Sequence, residues 1–167
     1  MSDQTLRTLV YGKGAHADPV ACVEDISAEV ASRRASGYPH TIWQLVLHMN
    51  FWMDYDLRTI AGENPTYPEH AIESWPELRD PSNEDDWKAT VRAFSDLLNQ
   101  VAVLADSDSE VLERAIVKAG AANSRRECSV HAALWEIAAH NSYHTGQVAL
   151  LRRQSGAWPP ERGGDSW

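Results

Sequence analysis

Residues 129–154 read SVHAALWEIAAHNSYHTGQVALLRRQ, and their periodicity decides the fold. Val130, Ala133, Ile137, His140, His144, Val148 and Leu151 recur every three or four residues, the spacing of one face of an α-helix. Two histidines therefore stand on a seam where a core helix ordinarily carries Leu or Ile. The helix is expected to begin near Ser129, run to about Gln154 and stop at Gly156.

Working outward, three more segments predict long helices. Asp18 can cap the first and Pro19 suits its opening position, with Val20, Val23, Ile26 and Val30 on one face and an end near Ser36. Thr41 or His40 can cap the second, which is expected to run to about Ala61, before Gly62. On that helix His48 shares a face with Thr41, Leu45, Trp52, Tyr55 and Thr59, so its ring should point at a core. Ser82 can cap the third, with Asp85 at the capping-box spacing and Trp87, Val91, Phe94, Leu98 and Val101 as its stripe. It should end near Asp106.

Pro65, Pro68, Pro76 and Pro81 forbid a helix through residues 62–81. Extended at ~3.3 Å per residue, that segment could travel the length of a helix and join two parallel ones. The expected fold is all-α: one domain over residues 1–167, a four-helix bundle in up-down-down-up order. Leu6 to Tyr11 is a short apolar stretch ended by Gly12 and Gly14. Residues 107–127 suggest a helical turn at Glu110 to Arg114 and then a loop through Gly120. The tail from Ala157 to Trp167 is expected to be loop, packed down by its tryptophans.

Composition removes several functional classes. Lys plus Arg is 15 against 24 Asp plus Glu, a net charge of −9 without a basic stripe. That charge disfavours nucleic acid and anionic membrane surfaces. Apolar residues at 43% suit a folded chain, yet no run of about 18 of them exists to span a bilayer. Cys22 and Cys128 form no CxxC pair and suit reduced, structural thiols. The start, Met-Ser-Asp-Gln-Thr, shows no signal peptide, and the cytoplasm is the expected location.

The histidines suggest chemistry. Four residues apart on a helix, His140 and His144 differ by ~40° around the axis and about one turn along it. Their rings can converge on one ion, at about 2.0–2.1 Å for zinc. An HxxxH pair alone is a weak signal, because core histidines can simply hydrogen-bond. Here both lie on an apolar seam, where burying polar rings requires a partner, and His48 offers a third ring from another core face. His16, His40, His70 and His131 suit loops, a helix start or the surface; His16 or His70 could fold over the site.

His48-Met49-Asn50-Phe51-Trp52 together with His140-Asn141-Ser142-Tyr143-His144-Thr145-Gly146-Gln147 resembles the DinB/YfiT-like family of metalloenzymes. The stretches 14–19, 39–45 and 151–160 extend the resemblance over nearly the whole chain. It implies a four-helix bundle with a three-histidine metal site whose ligands match His48, His140 and His144. It also implies zinc, nickel or iron as the divalent ion, and a homodimer. Relatives of known activity are transferases or isomerases using low-molecular-weight thiols.

Three neutral imidazoles leave an ion an open position, unlike structural zinc sites closed by four protein ligands. That favours a metal-dependent enzyme acting on a small molecule, a thiol-dependent S-transferase or a hydrolase. The alternatives are a non-catalytic metal- or ligand-binding module, and a metal-free bundle whose histidines complete the core. Glu136 and Gln147, one turn either side of the pair, could hydrogen-bond a ligand ring; Tyr55 and Asp54 are further options. Phe51, Trp52 and Tyr55 could line a small-molecule pocket or simply pack. No catalytic base or substrate is assigned.

Overall fold

The computed structural model describes residues 4–75 and 83–162. Their structure is mostly helical, with α1 (Gln4–Val10), α2 (Ala21–Glu24), α3 (Ala28–Ser32), α4 (Ile42–Ile60), α5 (Glu84–Ala105), α6 (Ser109–Glu113) and α7 (Val130–Gln154). A hairpin of β1 (Ala115–Ala119) and antiparallel β2 (Arg125–Ser129) leads into α7.

The three long helices start where side chains satisfy the first free amides. Thr41 and Gln44 form a reciprocal capping box on α4. Asn83 caps α5 by accepting from the Asp86 N–H. The expected cap Ser82 lies outside the described residues, as do Pro76 and Pro81. Ser129 accepts from the Ala132 N–H and starts α7. Gly62 and Gly156 follow the C-caps of α4 and α7 with φ of +90° and +76°, a conformation that strains other side chains.

Three expectations change. The first long helix is broken: Asp18 Oδ1 does accept from the Val20 and Ala21 amides, but α2 stops at Glu24. Ser27 then caps α3 by accepting from the Val30 N–H, a local bond that competes with helix continuation. The stretch around Leu6 to Tyr11 is helical in α1, with Leu6 and Val10 buried. Residues 115–119 form a strand in place of the expected loop, Ile116 opposite Cys128 and Lys118 opposite Arg126. Arg114 donates to the Ile60 carbonyl at 2.8 Å, and Lys118 Nζ lies 2.7 Å from Asp56. Both contacts pin the hairpin to α4.

Helix α4 packs along both α5 and α7. Trp43, Met49 and Met53 of α4 share one apolar cluster with Trp87, Phe94 and Leu98 of α5 and with Leu134, Ile137 and Val148 of α7. Trp87 Nε1 donates to the Ile26 carbonyl at 2.8 Å, which anchors the α2–α3 break on α5. Among the described residues, no helix is long and apolar enough to cross a membrane.

Arg152 ties the broken first segment and the tail to α7. It is 1% exposed, yet its guanidinium donates to the Cys22 carbonyl at 2.9 Å, the Ala157 carbonyl at 2.6 Å and the Asp25 carboxylate at 2.6 Å. Trp158 packs against the core from the tail, with the Arg153 guanidinium over its ring. Burial pushes the Asp25 pKa up, but hydrogen bonds from Arg152 and the Glu161 N–H outweigh it and leave the group below its ordinary value. A depressed carboxylate pKa stabilises the fold above the unfolded-state pKa and loses that contribution as pH falls through the folded one. Asp25→Ala, which strands a buried guanidinium, is expected to cost about 3 kcal/mol in urea unfolding at pH 7. The difference from wild type should shrink below about pH 4.

Candidate metal centre

Helix α4 supplies His48, and α7 supplies His140 and His144. His140 Nε2 lies 3.2 Å from His48 Nε2 and 3.1 Å from His144 Nε2, and the ring nitrogens of all three fall within 4.8 Å of one another. His48 and His144 are buried and His140 partly so. The spacing along α7 stacks two rings on one face, and packing of α4 on α7 brings the third to meet them.

The opposite ring nitrogens explain the protonation. His48 Nδ1 lies 2.9 Å from the Ser74 carbonyl, and a carbonyl can only accept, so this nitrogen carries the hydrogen. His144 Nδ1 is likewise 2.7 Å from Gln147 Oε1. Both Nε2 atoms therefore present lone pairs toward His140, whose own Nε2 can give a hydrogen to only one of them, whereas a cation between the rings would take all three lone pairs at once. The separations fit an ion: nitrogens about 2.0–2.1 Å from a tetrahedral centre stand roughly 3.3–3.4 Å apart. The donor set and its spacing thus suit a divalent cation.

A strap covers the cluster. Beyond the prolines, a 3-10 turn at Ala71–Ser74 delivers the Ser74 carbonyl and then Trp75. The Trp75 ring stacks on His48 with centroids 3.7 Å apart and on His40 at 3.7 Å, both nearly parallel. Loss of water around the rings is the main cause of their pKa values: burial pushes His48 and His140 down to about 4, and His144 is lowered for the same reason. All three are neutral at pH 7, as metal ligation requires.

The other candidates lie in different surroundings. Gln147 is the residue bonded to His144. Glu136 is committed to the hairpin, 2.9 Å from Lys118 and 2.5 Å from Arg126, with no imidazole as its partner. Tyr55 packs its ring against Trp52 and Tyr67, one layer from the histidines. Asp54 is exposed and sits 3.7 Å from Arg58. Trp52 meets His48 edge-on at 6.4 Å, and Phe51 packs on Trp52. His16 reaches Ser142 on α7, at 2.8 Å, while His70 is exposed. His131 accepts from the Trp135 indole N–H. Ser74, Trp75 and the stacking role of His40 went unforeseen. A tryptophan in a proline-rich segment was their one visible signal.

A family model described as the DinB superfamily matches residues 14–148, most of the chain, and the chain belongs to that superfamily. No curated protein and no solved structure matches it.

The pKa values predict how the site responds to pH. Three imidazoles at the ordinary value of ~6.5 would lose about 30-fold in apparent metal affinity between pH 7 and pH 6 through proton competition. With His48 and His140 at about 4 and His144 lowered from its ordinary value, protons compete only at more acidic pH. Titration with Co²⁺ is expected to give affinities within about twofold of each other at pH 7 and pH 6.

Proposed function

We propose that this member of the DinB superfamily holds one divalent cation on His48, His140 and His144 and is an enzyme acting on a small molecule. The reaction we assign is thiol-dependent S-transfer or hydrolysis. The observation that supports it is the meeting of three neutral, desolvated imidazole nitrogens with no fourth His, Cys, Asp or Glu in the cluster among the described residues. Cys22 is buried elsewhere, its thiol pushed up to about 11 chiefly by burial, and Cys128 sits on β2.

A bound divalent ion would supply Lewis acidity at neutral pH, which serves hydrolysis and thiol transfer alike. The chain's own residues do the rest. Ser74 and Gln147 fix the tautomers of two rings and so aim their lone pairs. Trp75 covers His48 and keeps water from that side, while Trp52 and Ile137 offer apolar walls beside His140.

The resemblance favours zinc, nickel or iron as the ion and a low-molecular-weight thiol as co-substrate. The same reading takes α2 and α3 together as the first member of a four-helix bundle, joined by α4, α5 and α7 in up-down-down-up order. It also takes the active form as a cytoplasmic homodimer.

Protein purified without added metal is expected to contain about one divalent ion per chain by elemental analysis, and His48→Ala to lose it. The visible spectrum of the cobalt-substituted protein is expected to change on adding azide or 2-mercaptoethanol. Stoichiometric metal in His48→Ala would sink the ligand assignment. A spectrum unmoved by both reagents would make the site a closed, non-catalytic module.

A further inference from the structure

Helix α4 carries a row of side chains that leads away from the histidines. Trp52, Tyr55 and Thr59 follow His48 at helical spacing on one face, and the rise of an α-helix puts Thr59 ~16 Å from His48 along the axis. Cavities follow this row. One of about 330 Å³ lies at His140 and Trp52, one of about 320 Å³ at Trp52, Tyr55 and Tyr67, and one of about 440 Å³ at Tyr55, Tyr67 and Thr59. The first two share Trp52 and Glu136, and the last two share both tyrosines with Gly120 and Ser124 of the hairpin. They adjoin in series as a cleft between α4 and the hairpin, and the rings of Trp52, Tyr55 and Tyr67 touch one another along its wall. Each cavity has the size of a small-molecule site.

The charged groups along this cleft pair with one another, with one exception. Lys118 is held by Asp56 and Glu136, Arg126 by Glu136, and Glu63, at the far end, by Arg58. Arg125 lines the far cavity, and its side chain makes no ion pair or hydrogen bond among the described residues. The strand register shows where it points. Arg125 stands opposite Ala119, and Val117 shares their face of the hairpin. All three line this cavity. Lys118 and Arg126, on the other face, are the pair turned toward Glu136. Arg125 is also exposed, so a ligand in the cavity can reach it. In a chain of net charge −9, an unmatched guanidinium closes the end of a cleft that begins at the candidate metal centre.

We propose that Arg125 is a specificity-determining residue that binds the carboxylate of an elongated substrate. The apolar or aromatic body of that molecule lies along Trp52, Tyr55 and Tyr67, and its reacting end reaches His140. A guanidinium meets a carboxylate through two parallel N–H bonds, a geometry that an alcohol cannot copy. The recognised class is an organic acid whose carboxylate is remote from the reacting atom. Placing the reacting end at an ion rests on the metal reading above, but recognition of the carboxylate by Arg125 does not.

The thiols 11-mercaptoundecanoate and 11-mercapto-1-undecanol are matched probes for this cleft. Each carries a thiol for the ion and an apolar chain, and they differ only in the far group. Calorimetric titration of the full chain loaded with zinc is expected to show the acid binding about fivefold tighter, the upper range for a solvent-accessible ion pair. In Arg125→Gln the two should bind within about twofold of each other. Arg92→Gln makes the same charge change at an exposed position on α5 and should keep the preference. The short pair 3-mercaptopropionate and 3-mercapto-1-propanol should give the same affinity ratio in wild type and Arg125→Gln, because their far groups stop short of the hairpin. Equal binding of the long probes in wild type, an acid preference that survives Arg125→Gln, its loss in Arg92→Gln, an Arg125-dependent preference in the short pair, or binding of neither long probe would each overturn the proposal. An Arg125-dependent preference in a chain that takes up no zinc would sink the metal reading and spare this one. Zinc uptake without the preference would do the reverse.

Discussion

This structure turns on three imidazoles brought together, with His140 Nε2 3.1–3.2 Å from the Nε2 atoms of the other two and all three rings largely withdrawn from water. Such an assembly is costly on its own. The His48 and His144 rings are held from turning, because Ser74 and Gln147 occupy their opposite nitrogens, and His140 Nε2 can satisfy only one of the two lone pairs they present. Protonation is disfavoured as well, since burial holds the pKa values of His48 and His140 near 4. A cation on the shared side of the rings would satisfy all three nitrogens at once. The apolar packing of α4 on α7 brings the rings together, and an ion would hold them there.

The peripheral elements follow from that constraint. The segment after α4 is too rich in proline to be helical, and its 3-10 turn places a carbonyl and an indole against His48. The hairpin before α7 lies against the other end of α4 through Arg114 and Lys118. Lys118 and Arg126 hold Glu136, a carboxylate one turn before His140, away from the rings. Arg152, two turns beyond His144, fastens the far end of α7 to the broken α2–α3 segment and to the tail. The helix that carries two of the histidines is therefore restrained at both ends.

The legible parts of the chain were those with strong local signals. Helix α7 shows its period, its Ser129 cap and its Gly156 stop. Helix α4 shows Thr41 and Gly62 in the same way. Convergence of His48 with His140 and His144 was readable because each ring sat on an apolar face. What escaped notice depends on contacts distant in sequence. The α2–α3 break satisfies a buried Arg152 more than a hundred residues away. β2, with Arg125, Arg126 and Glu127, has no apolar alternation to announce a strand, and its partner β1 shows only Ile116 and Val117. Trp75 belongs to a segment whose prolines say what it cannot be, not where it goes.

X-ray absorption spectroscopy of the zinc-loaded protein tests the central claim most directly. Three histidine ligands predict imidazole scattering from about three nitrogens near 2.0–2.1 Å, completed by a light exchangeable atom. Scattering from sulfur at ~2.3 Å, or fewer than two imidazoles in the shell, would contradict the account.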